Sequence, residues 1–124
     1  MARALTLGNG SMLVGLDKFG FLRDFYFPYV GLENHVSGHK HRIGIMVDGN
    51  FSWLDDGSWN ISIGYKPGTM VGYLVCKSEK LQVSLVMEDI VYNESNVFLR
   101  QADIYNHSDK HIDIKVFFHQ VFHI

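Results

Sequence analysis

The sequence has little of what marks secreted, membrane-spanning or nucleic-acid-binding proteins. Its 124 residues include one cysteine, Cys76, so no intramolecular disulfide can form, which fits a reducing compartment. No apolar run reaches the roughly 18 residues of a transmembrane helix, and the N-terminal apolar stretch is too short for a signal peptide. Eleven Lys and Arg face thirteen Asp and Glu without a basic block. We therefore expect a cytoplasmic protein that binds neither membranes nor nucleic acids.

Helical patterning is also missing, and the hydrophobic residues instead follow the pattern of β-strands. They make up 47% of the chain, enough for a core, and turn signals recur roughly every ten residues. This spacing is typical of a sandwich or barrel. The fold class predicted for residues 1–124 is a single all-β domain, an antiparallel β-sandwich.

Alternating apolar and polar residues, separated by turn residues, predict ten strands. Asp48-Gly49 between apolar runs indicates a hairpin whose two turn residues both have positive φ. Pro67 and Gly68 stand where a type II turn places them. The predicted strands are 3–7, 11–16, 21–27, 43–47, 51–54, 59–65, 70–77, 81–92, 96–106 and 111–124.

The last predicted strand ends in KVFFHQVFHI, which is apolar on both faces. A strand of this kind normally pairs with or packs under something else. We therefore expect an incomplete sandwich that is finished by a continuing polypeptide or by another molecule. A second copy of the chain is one such possible partner. His119 and His123 lie on one side of this predicted strand, about 13 Å apart at the usual rise per residue, so a packing or interface role is expected for them.

The long loop FPYVGLENHVSGHKH, residues 27–41, is rich in groups that bind ligands. His35, His39 and His41 can in principle ligate zinc with a water as fourth ligand. No cysteine or carboxylate follows at a supporting spacing, so ordinary loop hydrogen bonds are favoured and no metal site is predicted. Glu33 is the one acid suspected of touching a ligand, although a solvated loop acid remains the simpler interpretation.

The remaining acids and the cysteine suggest no catalytic centre. Hydrolysis of a glycoside needs two carboxyl groups, which an inverting enzyme holds roughly 6.5–9.5 Å apart. The other candidates sit in turns, where solvated turn chemistry explains them, and no nucleophile motif appears. Cys76 lies in mid-strand, as a buried inert thiol does. The turn acids are Asp17, Asp48, Asp55, Asp56 and Asp109.

Aromatic side chains allow two interpretations. Exposed in a row, they would stack against sugar rings; buried, they belong to the core. Alternation with Ile61 and Ile63 favours the core for Trp59, whereas Tyr29, which follows Pro28 in the loop, is the better candidate for exposure. The set in question is Tyr26, Phe27, Tyr29, Trp53 and Trp59.

The segments RDFYFPYVGLENH, VGYLV, DIVYNESNVFLRQADIYN and VFFHQVFHI together resemble the N-terminal β-sandwich domain of prokaryotic glucoamylase-like enzymes of glycoside hydrolase family 15. The resemblance covers almost the whole chain. It implies a supersandwich that is longer than this chain and is followed by a linker and an (α/α)6 barrel. The barrel supplies the two catalytic glutamates, and neither maps onto this chain, so no catalytic residue and no cofactor are expected.

The resemblance also implies a role for the loop. Pro28, Tyr29, Glu33, Asn34 and His35 are the candidates for a domain interface or for a wall of the sugar pocket. The predicted function is a non-catalytic domain that docks on and shapes an α-glucan- or α-glucoside-cleaving barrel, with an α-glucan or oligosaccharide as possible ligand. Two alternatives stay open: a freestanding carbohydrate-binding module, and a structural domain that oligomerises through its last strand.

Overall fold

A computed structural model describes residues 2–123, and these residues form an all-β fold with no helix among them. All strand pairs are antiparallel. They form three sheets with the strand orders β1-β2-β3, β10-β4-β5 and β6-β7-β8-β9. The strands are β1 (Leu5–Gly8), β2 (Leu13–Leu16), β3 (Leu22–Tyr26), β4 (Ile43–Val47), β5 (Asn50–Trp53), β6 (Asn60–Tyr65), β7 (Gly72–Ser78), β8 (Val83–Val91), β9 (Phe98–Asn106) and β10 (Ile114–Phe118).

Two hydrophobic cores hold the sheets face to face, which confirms the all-β class and is consistent with a sandwich. The larger core joins the inward residues of β4, β7 and β8, and Trp59 is part of it at 9% exposure, as predicted. The smaller core lies under the β1-β2-β3 sheet. Ile63 of β6 packs against both cores, so the four-stranded sheet contributes to each of them.

Local turn chemistry agrees with the sequence at both predicted turns. Asp48 and Gly49 have φ angles of 47° and 84°, the two positive values that a type I′ hairpin needs. Gly68 has a φ of 73°, and the amide of Thr69 donates to the carbonyl of Lys66 at 3.0 Å, which is the type II arrangement. Cys76 is buried in mid-strand as predicted, and burial raises the pKa of its thiol to about 12.

The predicted strand 111–124 is wrong in its second half. β10 ends at Phe118, and residues 119–123 leave the sheet, while Ile124 lies outside the described residues. The amide of His119 still donates to the carbonyl of Arg42 at 2.9 Å, but the chain then turns onto the loop, where the amide of His123 donates to the carbonyl of His35 at 2.6 Å. Polar groups of a loop distant in sequence thus replace a sheet partner, and the expected alignment of His119 and His123 along one strand does not occur.

Asp17 also differs from expectation, because its side chain is buried instead of solvated. Its carboxylate accepts hydrogen bonds from the amides of Phe19 at 2.9 Å and Phe21 at 3.1 Å, and Arg23 lies 3.4 Å away. The turn lies directly over the larger core, where Phe21 is fully buried and Phe19 is half-buried, so water has limited access to these two amides. The carboxylate satisfies them instead.

Candidate functional site

The loop 27–41 is anchored at its base and open at its tip. Isolated bridges pair Tyr26 with Asn34 and Leu22 with His41, so the loop leaves β3 and returns beside it. Val36 is fully buried in the smaller core and fastens the second half of the loop to the sandwich. The loop is therefore a fixed projection of the sandwich, made of a rigid base and an exposed end.

Asn34 organises the base of the loop through three side-chain hydrogen bonds. Its Oδ1 accepts from the amide of Phe25 at 3.0 Å and from the amide of Val36 at 3.1 Å. Its Nδ2 donates to Oδ1 of Asp24 at 3.0 Å, and the same carboxylate binds the guanidinium of Arg3. One amide side chain thus uses both its acceptor and its donor to hold the loop against β3.

Replacing Asn34 with alanine is expected to lower the free energy of unfolding by about 2–3 kcal/mol, because the amides of Phe25 and Val36 lose their acceptor and the carboxylate of Asp24 loses one of its two partners. Asn34→Asp is expected to fall between wild type and Asn34→Ala, since it keeps the acceptor but sets a second carboxylate against Asp24. Urea denaturation measures both variants. Glu33→Gln, at the exposed neighbouring position, is the control, with an expected change below about 0.5 kcal/mol. A wild-type midpoint for Asn34→Ala would contradict this account of the base.

His35 lies beside Asn34 and joins the loop to the end of the described chain. Its Nδ1 is 2.7 Å from the carbonyl oxygen of His123, and its Nε2 is 2.8 Å from that of Phe27. The hydrogen bonds to these two carbonyls raise the pKa of the imidazole, and the bond to Phe27 has the larger effect. The structure thus places Asn34 and His35 inside a hydrogen-bond network, half-buried.

The tip of the loop is exposed and apolar. Tyr29 is 66% exposed, as predicted for it, and Leu32 is 79% exposed. Pro28 and Glu33 are exposed beside them. An exposed apolar group on a fixed projection is typical of a surface that contacts another molecule. The five candidate residues therefore divide into an exposed tip, formed by Pro28, Tyr29 and Glu33, and a bonded base.

A cavity of about 280 Å³ lies between β3, β9 and the segment after β10, and sequence reasoning did not foresee it. Six of the eleven residues that line it are apolar, four of them phenylalanines, and Phe122 packs edge-on against Phe25 at 5.7 Å. Arg100 lies on its wall, but this guanidinium is bound to Asp89. The cavity is therefore apolar in character. The one sequence signal for this cavity is that residues 116–122 are apolar on both faces of the predicted strand. The cavity could not be predicted further, because its walls come from segments far apart in sequence.

The aromatic candidates do not form a row. Trp59 is in the core, Tyr29 is at the loop tip, and Trp53 lies on the outward face of the β10-β4-β5 sheet. There, Phe51 meets Trp53 edge-on at 4.7 Å, and Arg42 covers the Trp53 ring at 4.2 Å. These rings present edges and a covered face, so Tyr29 is the better of these candidates for stacking on a sugar.

The described acids show no arrangement for catalysis. Burial raises the pKa of Asp55, but hydrogen bonds from Arg42 and Lys40 outweigh it and leave the pKa below its usual range, the opposite of what a general acid needs. Ser84 Oγ lies 2.6 Å from Nε2 of His107, yet Ser84 is 4% exposed, and the contact ties the end of β9 to β8.

Each of the three loop histidines makes its own set of contacts. His35 bonds Phe27 and His123, His41 bonds Val121, and the ring of His39 stacks on that of His123 at 5.8 Å. Across residues 2–123, no three His, Cys, Asp or Glu side chains are grouped to hold a metal ion.

No protein-family model matches the chain, and no solved structure matches it. Over 114 residues, or 92% of the chain, it is 27% identical to an uncharacterized glycosyl hydrolase of Methanocaldococcus jannaschii. The chain spans 18% of that protein's length. This match supports a glycosyl hydrolase-related domain.

Proposed function

We propose that the chain is a non-catalytic, N-terminal β-sandwich domain of a glucoamylase-like hydrolase of glycoside hydrolase family 15. Its partner is the catalytic (α/α)6 barrel of the same parent protein, in the cytoplasm, and its role is to dock on that barrel and shape the pocket for an α-glucan or α-glucoside. The observation that carries the proposal is the loop 27–41, whose base is bonded to the sandwich while Tyr29 and Leu32 at its tip face solvent.

Two further observations support this role. In the Methanocaldococcus glycosyl hydrolase, the part that matches this chain is 18% of the length, which leaves ample sequence for a separate catalytic domain. Hydrogen bonds hold the pKa of Asp55 and of Asp56 below the usual range, whereas the general acid of glycoside hydrolysis needs a raised pKa. The chemistry is therefore assigned to the barrel, and the chain by itself is expected to release no glucose from maltooligosaccharides.

Tyr29→Ala tests the loop tip in the full-length hydrolase. We expect kcat/KM for maltooligosaccharides to fall by about tenfold or more, because a displaced pocket wall misplaces the substrate. The stability of the chain itself should change by less than about 0.5 kcal/mol, since Tyr29 is exposed. Tyr105→Ala, at 52% exposure on β9, is the matched control and should leave hydrolysis unchanged. Wild-type hydrolysis and thermal stability in Tyr29→Ala would show that the tip is neither wall nor docking surface.

Two other functions are favoured by single observations. The exposed ring of Tyr29 suits a freestanding carbohydrate-binding module, which would bind maltooligosaccharides by itself in a calorimetric titration. β10 is an outer strand of its sheet, and Phe117 and Phe118 are 41% and 46% exposed, which suits an oligomerising structural domain. Sedimentation at several concentrations distinguishes that domain, because a strictly monomeric chain contradicts it.

A further inference from the structure

The segment 119–123 is held against the loop 27–41 largely through histidine side chains. His41 Nε2 lies 2.8 Å from the carbonyl oxygen of Val121 and 3.1 Å from its amide nitrogen. The ring of His39 stacks on that of His123. His35 closes the junction from the other side, because its carbonyl accepts from the amide of His123 while its ring contacts the His123 carbonyl. We call this junction the histidine clasp.

His35 decides the chemistry of the clasp, because both of its ring nitrogens face carbonyl oxygens, at 2.7 Å and 2.8 Å. A carbonyl oxygen accepts hydrogen bonds and donates none, so each nitrogen must carry a proton to bond it. Neutral imidazole has one N–H, whereas the imidazolium ion has two. The observed geometry is therefore satisfied by the cation alone.

We propose that the histidine clasp is a pH-sensitive junction, closed when His35 is doubly protonated and loosened when it is neutral. On loss of one proton, a ring lone pair faces a carbonyl oxygen and one of the two bonds must break. The bond to His123 is the one that opens, because residues 119–123 belong to no strand, whereas Phe27 follows directly on β3. The inference is independent of whether the chain serves a hydrolase.

The charged surroundings of His35 agree with this assignment. Glu33, in the same loop, favours the cation. From β3, Asp24 faces the base of the loop, but its carboxylate is already bound to Asn34 and Arg3. The other charged or titratable groups near the clasp are Arg100, which acts on His41 from β9, and the remaining histidines of the loop and of the segment: His39, His41, His119 and His123.

His41 does not compete with His35 for the proton. Burial lowers the pKa of His41, so its ring is the first of the two to become neutral as the pH rises. In its neutral form, Nε2 can still accept from the amide of Val121 or donate to its carbonyl. Phe122 remains packed on His41, with ring centroids 4.6 Å apart. Loosening at His35 is therefore local, and the sandwich stays folded.

The direction of the pH effect follows from the raised pKa of His35 in the folded chain. The stabilisation that protonation of His35 provides is fully present below its unfolded-state pKa, about 6.5. It is lost as the pH rises through the folded-state pKa. The contact between His35 and His123 therefore closes towards acid pH and opens towards alkaline pH, which is the opposite of the effect expected from the lowered pKa of His41.

Nitrogen-15 NMR of the histidine rings in the 124-residue chain tests the proposal. At acid pH we expect His35 to show two protonated ring nitrogens and to titrate with a pKa above about 6.5, the ordinary histidine value. Protection of the His123 amide against exchange, corrected for the intrinsic rate, should fall about tenfold as the pH rises through that titration, since one charge-assisted hydrogen bond is lost. A single protonated nitrogen at acid pH, or titration at or below about 6.5, would overturn the proposal.

A variant pair provides the second measurement. His35→Gln keeps one donor and one acceptor, as neutral histidine does, so its thermal midpoint should match that of wild type at alkaline pH and fall below it at acid pH. The thermal midpoint of His111→Gln, a change at an exposed position before β10, should match that of wild type at both acid and alkaline pH. Equal pH dependence in His35→Gln and wild type would contradict the clasp. If His35→Gln does not fold, the ring-nitrogen titration of the wild-type chain decides the question alone.

Discussion

Replacing Arg100 with alanine is expected to lower the free energy of unfolding by about 3–5 kcal/mol, because it leaves the buried carboxylate of Asp89 without a partner. Asp89 has no exposed side-chain surface, and the side chain of Arg100 is 13% exposed. The guanidinium binds both carboxylate oxygens, at 2.8 Å and 2.7 Å, and also donates to the carbonyl of Gly20 at 3.0 Å. Urea denaturation of the chain measures the change.

The control for Arg100→Ala is an exposed ion pair on the opposite face of β8 from Asp89. Lys66 pairs with Glu88, the neighbour of Asp89 on β8, but both side chains are more than a third exposed. Lys66→Ala is therefore expected to change stability by less than about 1 kcal/mol. The double variant Asp89→Leu, Arg100→Met should recover much of the loss, since it removes the buried charge together with its partner. A change below about 1 kcal/mol in Arg100→Ala would show that Asp89 is not desolvated.

The sequence contained part of the information needed to find this ion pair. Period-two alternation along β8 places Asp89 on the same side as the buried Leu85 and Met87, so a charge on the core face could be predicted from the pattern. Its partner could not, because Arg100 is opposite Asp89 only in the observed register of β8 and β9. Register depends on the turn between the strands and on packing across the sandwich. Strand existence is thus local information, whereas side-chain partners are not.

The same distinction applies to the loop and to the last strand. Pro28 beside Tyr29 was enough to predict an exposed ring, and Tyr29 is exposed. The network of Asn34 and His35 was not predictable, because its partners are mainly backbone groups whose positions only the folded chain defines. Residues 119–123 read as a strand by their apolar character, yet hydrogen bonds to the loop remove them from the sheet. Local propensity fails where distant polar groups satisfy the backbone instead.

Gly20→Ala is expected to destabilise the chain by about 2–4 kcal/mol, the sum of a strained backbone and an overpacked core. Gly20 has a φ of 75°, and a Cβ atom added there would lie 2.2 Å from Cδ2 of Leu74, which is fully buried. Gly68→Ala is the matched control, because its φ is 73° and nothing lies within 4 Å of the added atom. It should lose only the conformational part, about 1 kcal/mol. Equal losses at the two glycines in urea denaturation would mean that Leu74 moves aside without penalty.

The Gly20 and Arg100 variants also test whether the turn before β3 and the buried ion pair act as one unit. The carbonyl of Gly20 accepts from Arg100, so a displaced turn weakens the same guanidinium that neutralises Asp89. The losses in Gly20→Ala and Arg100→Ala should therefore add to more than the loss in the double variant, by at least about 0.5 kcal/mol. Combining Gly68→Ala with Arg100→Ala should give simple additivity, since Gly68 lies in the turn between β6 and β7 and an added Cβ there has nothing within 4 Å. Additivity in both combinations would mean that the turn and the ion pair stabilise the sandwich separately.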